Sequence, residues 1–576
     1  MRIETAVEVD FWTGLKTAPE FALDTETTGL RWSDSLIGVS LAYYDGSQVR
    51  KRWIERSGDV LDNHKLVCVL SDETKTIIGH NLGFDLRILW KEVCPVRNQF
   101  FDTKIGFSLI DPDGLNGLKA LASRVLGQTS VDYTEVLKQH NAKTLLEVPR
   151  EVVEAYALND AVWTLQLKSV CEAQLRQKGL YEYFQNIEMP FINIIVEMEQ
   201  NGMLIDAPLL EQKKQLINSE LSTLPAQIYG LAGCEFNINS SQQLGKVLYE
   251  RHRYGVTKKS KKTGMPSTDY ETLSKMQGAL PEKILRYKKL HKLASTYLPA
   301  LTDLRDADGC LRSNFYQFYD ISKNKGTITG RLSSQSPNLQ NYPSPKKDEF
   351  RLRDCFIAHP GRKLIVADES QLELRLLAAL SKEPLWVEAF KNNQDLHRIT
   401  AVAMFNDEGK RDLAKTVTYA MLYGAQAPKI AATAGISVKD ADHYLAQHRG
   451  LFKTFHAWRD GLITTTERLG YVKTLFGRVI PVPYRLAYKA VDYVAQSLAS
   501  DIMKLAQVKI QKTSPWLIQC CQIHDEVVVE CEESRLQEGA EIVTKCMERP
   551  FSDAWLLGDI SLAVDVKIVD RWGLAK

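Results

Sequence analysis

Residues 411–424 read RDLAKTVTYAMLYG. Arg411, Lys415 and Tyr419 recur every four positions, and at about 100° per residue each step returns to nearly the same helix face with a drift of about 40°. One face therefore presents a guanidinium, an ammonium and an aromatic ring in a row. That order suits a nucleotide lying along the helix, with phosphates at the cations and sugar and base at the ring. A solvated basic stripe grading into core remains open for this stretch taken alone.

Acids flank it in sequence. GRKLIVADESQLELR (361–375) reads as a buried strand ending at Asp368, and IQCCQIHDEVVVE (518–530) as a strand-turn-strand hairpin carrying His524, Asp525 and Glu526. An acid pair at a turn is commonly just solvated. With a second strand also ending in an acid, Asp368 and Asp525 become candidates to clamp two Mg²⁺ ions roughly 3.5 to 4 Å apart for phosphoryl transfer. Spacing alone leaves open whether they meet.

The amino-terminal third carries a second acidic set. FALDTETTGL (21–30) and TIIGHNLGFD (76–85) read as strands ending in polar residues, and VPREVVEAYALNDAVWTLQLKSV (148–170) as a helix with Pro149 near its start. In LDTET, Asp24 and Glu26 project to one strand face while Thr25 points away. Asp85 follows the second run, and Tyr156 and Asp160 share a helix face. Each piece alone fits an ordinary solvated strand end or helix face. Four carboxylates and a phenol together suit two hard cations that activate a water against a phosphodiester.

The 576 residues are 44% hydrophobic and 25% charged, which excludes disordered and fibrous classes and allows several cores. No stretch approaches the roughly 18 apolar residues of a membrane span, and the start, MRIETAVEVDFW, lacks a signal pattern. A soluble, cytoplasmic protein without a membrane partner is expected. Ten cysteines form no CxxC pair and read as reduced core residues. The formal charge of +2 argues, taken whole, against a nucleic-acid partner. By segment it does not: residues 1–175 carry 19 basic and 25 acidic side chains, 176–250 carry 5 and 9, 251–292 carry 12 and 3, and the rest 37 and 34. The first 175 residues alternate strand and helix patterns, 186–230 is helical, and the basic block around KKSKKTGMPST reads as an extended crossing or loop.

Taken in order, DxE, NxxFD and YxxxD resemble the three exonuclease motifs of DnaQ-like, RNase H-fold proofreading domains. That resemblance implies that Asp24, Glu26, Asp85 and Asp160 bind two divalent metals and that Tyr156 assists, with Asn81 and Phe84 supporting, in cleaving single-stranded 3′ ends. TGRLSSQSPNLQNYP (329–343), DESQLELR (368–375), RDLAKTVTYAMLYG and QIHDE (522–526) resemble the successive signatures of family A DNA polymerases. The likeness runs on through KKTGMPSTDYETL (261–273), KLASTY (292–297), GYVKTLFGR (470–478) and QSLASDIMK (496–504). The expected fold is α/β and multi-domain, an RNase H-like exonuclease domain over 1–180 followed by a right-hand polymerase domain over 181–576. Its thumb is expected at about 230–325, its palm at 181–229, 326–385 and 481–576, and its fingers at 386–480.

By the same resemblance Asp368 and Asp525 are metal ligands, joined by the backbone of Glu369, and Glu526 assists. Arg411, Lys415, His397 and Gln371 hold the incoming dNTP, Tyr419 stacks beside it, Tyr423 sits near the templating position and Glu373 crowds the sugar 2′ position. Arg331, Asn338, Gln340, Gln496 and His524 read the primer-template minor groove, and Lys292, Ser295 and Thr296 grip the duplex. If about six charges of the basic block meet phosphates, log affinity falls with log salt at a slope near −5.

The cofactors implied are two Mg²⁺ at each site, replaceable by Mn²⁺. Primer-template DNA and dNTPs are the substrates, and a replisome helicase or single-strand-binding protein is the kind of partner implied, the chain itself acting as a monomer. The motifs begin at residue 24, leaving no room for a 5′ nuclease domain, so the layout resembles the large fragment of a bacterial DNA polymerase I or a phage replicase. The 28 residues between Leu301 and Gly330 are too few for a thioredoxin-binding insertion.

Four positions depart from the family pattern: Glu369 for Tyr, Tyr419 for Phe, Ala420 for Gly and Asp492 for Asn. The Tyr419 hydroxyl implies ready incorporation of dideoxynucleotides, as in some phage enzymes. Two other readings compete, a nuclease whose carboxy-terminal part only binds DNA and a single-subunit RNA polymerase. Intact Asp368, Asp525 and Lys415 disfavour the first, and Glu373 with the exonuclease motifs the second.

Overall fold

A computed structural model describes residues 4–58, 60–129, 131–256, 258–260, 263–321, 325–551, 557–558 and 560–575, with side chains from Phe11 onward. Lys261 and Lys262 of the basic block lie outside the described residues. The chain divides into two compact units, one of Met1–Gly202, Ser313–Gln335 and Ile365–Ile568, the other of Met203–Arg312, Ser336–Leu364 and Val569–Lys576.

In the first unit, strands β1 (Glu20–Thr27), β2 (Leu36–Asp45), β3 (Gln48–Glu55), β4 (Thr76–Gly79) and β5 (Gln99–Asp102) form a sheet in the order β3-β2-β1-β4-β5. The first three are antiparallel, and β4 and β5 run parallel to β1. Phe21, Ala22 and Leu23 are fully buried on successive sides of β1, as a central strand covered on both faces requires. The parallel pair needs a crossover, supplied by helix α1 (Leu82–Glu92). Helix α2 (Arg150–Gln177), with Pro149 at its N-cap, packs across β1 and β2 through buried Ala157, Ala161 and Leu165. Gly106, on the helix Thr103–Ile110, sits against Cys171 of α2, where a Cβ would strike the sulfur. Glycine there lets two helices approach closely.

TIIGHNLGFD does not continue as a strand to Asp85. Asn81 takes a left-handed conformation (φ 76°), and the Asp102 carboxylate accepts from the Asn81 and Leu82 amides at 3.2 and 2.7 Å. The chain turns there into α1, and Asp85 lies in its first turn. A short apolar run does not distinguish a strand from a strand, turn and helix.

A second sheet comprises β6 (Arg362–Glu369), β7 (Ile518–Ile523), β8 (Glu526–Glu532) and β9 (Val564–Val569), in the order β7-β8-β6-β9. Helix α3 (Leu372–Ser381) follows β6, α4 (Arg411–Leu422) carries the cationic face, and α5 (Ala490–Thr513) contributes Leu498, Ile502 and Ala506 to a core shared with Ile365, Val527 and Val529. The segment after α2 is anchored to α5 by a buried charge network. Lys504 donates to both oxygens of Glu188 at 2.8 and 2.9 Å, the Tyr183 hydroxyl bonds Glu188 and Asp501, Gln317 donates to Glu188, and Arg478 stands 3.6 Å away. Burial alone would raise the Glu188 carboxyl, but Lys504 and Arg478 outweigh it and hold it below its ordinary value.

The second unit pairs Phe356–Ile357 and Cys310–Leu311 on either side of Met203–Ile205, and packs the helix Ala207–Ala232 against Ala279–Lys292. The basic block is thus not one extended crossing: Asp269 caps the Thr272 amide at 2.8 Å, and the helices Tyr270–Ser274 and Ala279–Lys292 follow. Several of its cations are already paired. Lys258 bridges Asp269 and Glu271, Lys275 pairs with Glu271, Arg286 with Glu220 and Glu349, and Lys289 with Glu349. All ten cysteines are free thiols; Cys68 is exposed and Cys94 and Cys234 are half-buried, so the reading of all ten as core residues is corrected to seven. Among the described residues no helix is long and apolar enough to cross a membrane.

Candidate active sites

The first site lies at the end of β1. Asp24 and Glu26 share a strand face and meet Asp160 from α2, and one carboxylate oxygen from each lies within 4.8 Å of the others. Asp85 is held beside them: its Oδ1 accepts from the Thr25 amide at 2.9 Å and the Thr25 hydroxyl at 2.6 Å. Burial raises all four carboxyls, Asp85 to about 7 and Asp160 against the opposing Lys119; repulsion within the cluster adds to it at Glu26, held at about 8 by burial and then Asp160, and at Asp24, pushed well above its ordinary value by burial and then by Asp85, Glu26 and Asp160. Like charges buried this closely are a donor set for divalent cations, and hard oxygen ligands suit Mg²⁺ or Mn²⁺.

Tyr156 stands one turn before Asp160, and its phenol is raised by burial and then by Asp160 and Glu26. Asn81 and Phe84 line a neighbouring cavity of about 160 Å³ together with Leu30, Arg87 and Lys104. Two members of this site were not read from the sequence. Lys119, in the first turn of the helix Leu118–Leu126, donates to Asp160 Oδ1, and Leu30 is 77% exposed at the loop after β1. Neither left a usable signal in the sequence: a lone leucine after a strand is ordinary, and so is a single lysine in an amphipathic helix.

In the second site, the end of β6 is tied to the β7–β8 turn by the Glu369 amide, which donates to the Asp525 carbonyl at 3.1 Å. The hairpin has a two-residue turn, His524 and Asp525, with His524 left-handed at φ 56° and Ile523 paired with Glu526. Arg331 reaches Glu373 at 2.5 Å and Asp525 at 3.9 Å. It is aimed by Gly330, whose φ of 79° and contact with the Arg478 guanidinium exclude a side chain, and whose carbonyl accepts from Ser500 at 2.6 Å. Glu373 also accepts from the Tyr423 hydroxyl at 2.7 Å.

On α4 the Tyr419 and Tyr423 rings stack 6.0 Å apart, and the Lys415 ammonium lies 6.0 Å from the Tyr419 ring centroid. Arg411 pairs with Asp395 at 2.7 Å, and His397 lies 5.7 Å from Tyr419, buried, with burial lowering it to about 4. Burial lifts the Tyr419 phenol to about 12. Gln371 begins α3 in a left-handed conformation (φ 55°), Gln496 donates to Asp492 at 2.6 Å, and Glu526 is buried. The Glu369 side chain is buried without a hydrogen-bond partner among the described residues and is raised well above its ordinary value, first by burial and then by Asp525.

Asn338, Gln340, Lys292, Ser295 and Thr296 belong to the second unit. Lys292, Thr296 and Asn338, with Tyr297, Asn341 and Tyr342, line an open groove of about 530 Å³. Asn338 caps the Gln340 amide at 3.0 Å, and Ser295 lies 3.5 Å from His291.

The profile described as 3′–5′ exonuclease matches residues 4–176, and that of DNA polymerase family A residues 207–574. DNA polymerase I of Treponema pallidum is 32% identical over 537 residues, covering 88% of this chain and 52% of its own length. DNA polymerase I of Pseudomonas aeruginosa is 29% identical over 598 residues, covering 97% and 64%. The thermostable DNA polymerase I of Thermus aquaticus is 34% identical over 421 residues, covering 69% and 49%. The chain thus spans about half to two thirds of the length of these relatives. Among solved structures, the POL domain of Pol1 from M. smegmatis, in complex with DNA primer-template and dNTP, has a TM-score of 0.86 at 23% identity, over 100% of this chain and 99% of that one. That likeness is one of fold.

Proposed function

The chain belongs to DNA polymerase family A and carries a 3′–5′ exonuclease domain, and from that premise we propose that it extends primers with dNTPs on a DNA template and trims the same 3′ end. The observation that carries this reading is the main-chain tie between Glu369 and Asp525, which joins the two acid-bearing strand ends in the unit that also holds the cationic face of α4.

Asp368, Asp525 and the Glu369 carbonyl would hold two divalent cations, Mg²⁺ or in its place Mn²⁺, whose Lewis acidity eases loss of the primer hydroxyl proton and offsets charge on pyrophosphate. Arg411 and Lys415 bind the triphosphate, with His397 and Gln371 beside them, and Tyr419 orients sugar and base for in-line attack. Glu373, fixed by Arg331 and Tyr423, faces the sugar 2′ position and selects dNTPs. In the exonuclease, Asp24, Glu26, Asp85 and Asp160 would hold the second pair of cations, and Tyr156 orients the attacking water. Lys292, Ser295, Thr296, Asn338 and Gln340 grip the duplex from the second unit, and Gln496 and His524 from the first. Tyr419 in place of Phe supports a phage-type replicative role.

Gel-resolved extension and degradation of a labelled primer-template in Mg²⁺, with dNTPs, with rNTPs and without either, tests this. Asp525→Ala should abolish extension and keep degradation, Asp24→Ala the reverse, and dNTPs should be strongly preferred. Extension that survives Asp525→Ala would refute the polymerase assignment.

A further inference from the structure

Tyr156, Asp160 and Trp163 occupy positions i, i+4 and i+7 of α2 and so form one face over two turns. All three are engaged by one side chain from another helix. The Lys119 ammonium donates to Asp160 Oδ1 and lies 4.1 Å from the Tyr156 ring centroid and 4.9 Å from that of Trp163. Its side chain is 21% exposed, although a lysine at a helix start ordinarily extends its charge into water. Simple neutralisation of the acid cluster would require only proximity to carboxylates. The ring contacts add a constraint: a cation over the face of a phenol fixes the plane of that ring, and the same ammonium fixes the rotation of the neighbouring carboxylate.

We propose that Lys119 is a positioning residue of the nuclease site, holding the Tyr156 ring and the Asp160 carboxylate in the arrangement that hydrolysis of a single-stranded 3′ end requires. This rests on the exonuclease reading above. Lys119 acts through these two side chains and does not itself grip the strand.

The test uses the full chain with Lys119→Gln, Lys119→Met and Lys119→Arg. Degradation of a labelled single-stranded oligonucleotide in Mg²⁺ gives kcat and KM, and anisotropy of the same oligonucleotide in EDTA gives its affinity without turnover. Gln and Met should lower kcat about 10- to 100-fold, as loss of a partner behind a metal ligand does, with KM and the EDTA affinity within twofold of wild type. Arg should recover most of the loss because it restores a cation over the ring. Primer extension should be unchanged in all three, which also reports intact folding. Combined with Tyr156→Phe, the losses should not multiply.

A Gln variant within threefold of wild-type kcat would overturn the proposal. So would a matching loss of affinity in EDTA, which would make Lys119 a strand contact, or losses that multiply with Tyr156→Phe. A wild-type chain that extends primers but degrades nothing would instead remove the exonuclease reading, and the proposal with it.

Discussion

Raising the pH from 5.5 to 8 in EDTA should loosen the exonuclease domain, and Mg²⁺ should restore it. Glu26 is held near 8, against an ordinary 4.5, by burial and then by Asp160, with Lys119 opposing; burial holds Asp85 near 7. The folded chain therefore keeps protons that the unfolded chain releases above about pH 4, and a state that binds more protons loses stability as pH rises. For Glu26 alone the penalty grows from about 1.4 kcal/mol at pH 5.5 to about 4 kcal/mol at pH 8, a loss of about 3 kcal/mol. Asp85 acts in the same direction. Mg²⁺ at 100 times its dissociation constant returns about 2.7 kcal/mol. Hydrogen exchange across β1 and α2 isolates this region in a chain that need not unfold in one step. Glu26→Gln should flatten the pH dependence, and Asp24→Ala should remove much of the Mg²⁺ response. Exchange independent of pH in EDTA, or equal Mg²⁺ protection in Asp24→Ala, would refute the reasoning.

Lys504→Met leaves the buried Glu188 with Arg478 as its one nearby cation among the described residues and should cost about 3 to 5 kcal/mol, read as a fall in the first thermal transition; a shift under 1 °C would contradict it. Tyr419→Phe should lower dideoxynucleotide relative to deoxynucleotide incorporation about tenfold or more, the order of one hydrogen bond made at the reacting sugar; an unchanged ratio excludes that role for the hydroxyl. Arg253, Lys259, Lys283 and Lys292 make no ion pair among the described residues. Replacing all four with Ala should flatten the salt slope of duplex binding by about 3.6, as measured by anisotropy between 50 and 200 mM salt, about the range where such slopes are read. A slope that does not move would place the grip elsewhere.

The polymerase core was legible in the sequence because its signals are long and local. An apolar run ending in Asp368, two apolar runs around His524 and Asp525, and a four-residue repeat on α4 each fix an element; the strand ends meet through a hydrogen bond between peptide groups, and the residue after α4, Tyr423, reaches Glu373 through its hydroxyl. The acids that gather at the end of β1 were legible in the sequence, but the elements carrying them not wholly so. Asp85 moved from a strand to a helix because Asn81 and the distant Asp102 carboxylate decide where the strand stops. Lys119 was invisible because its meaning lies in a contact across two helices. Net charge misled twice: the total hid the basic block, and the count within the block overstated what is free, since Lys258, Lys275, Arg286 and Lys289 are bound to neighbouring acids.

The bond from the Glu369 amide to the Asp525 carbonyl sets the separation of two strand ends through groups that every residue except proline supplies. The side chain at 369 takes no part in that bond; it lies buried, its carboxyl raised first by burial and then by Asp525. The backbone of 369 is held by that bond whatever side chain stands there, proline excepted. A designer can therefore vary the bulk and polarity of this side chain without breaking the main-chain tie that joins the two strand ends.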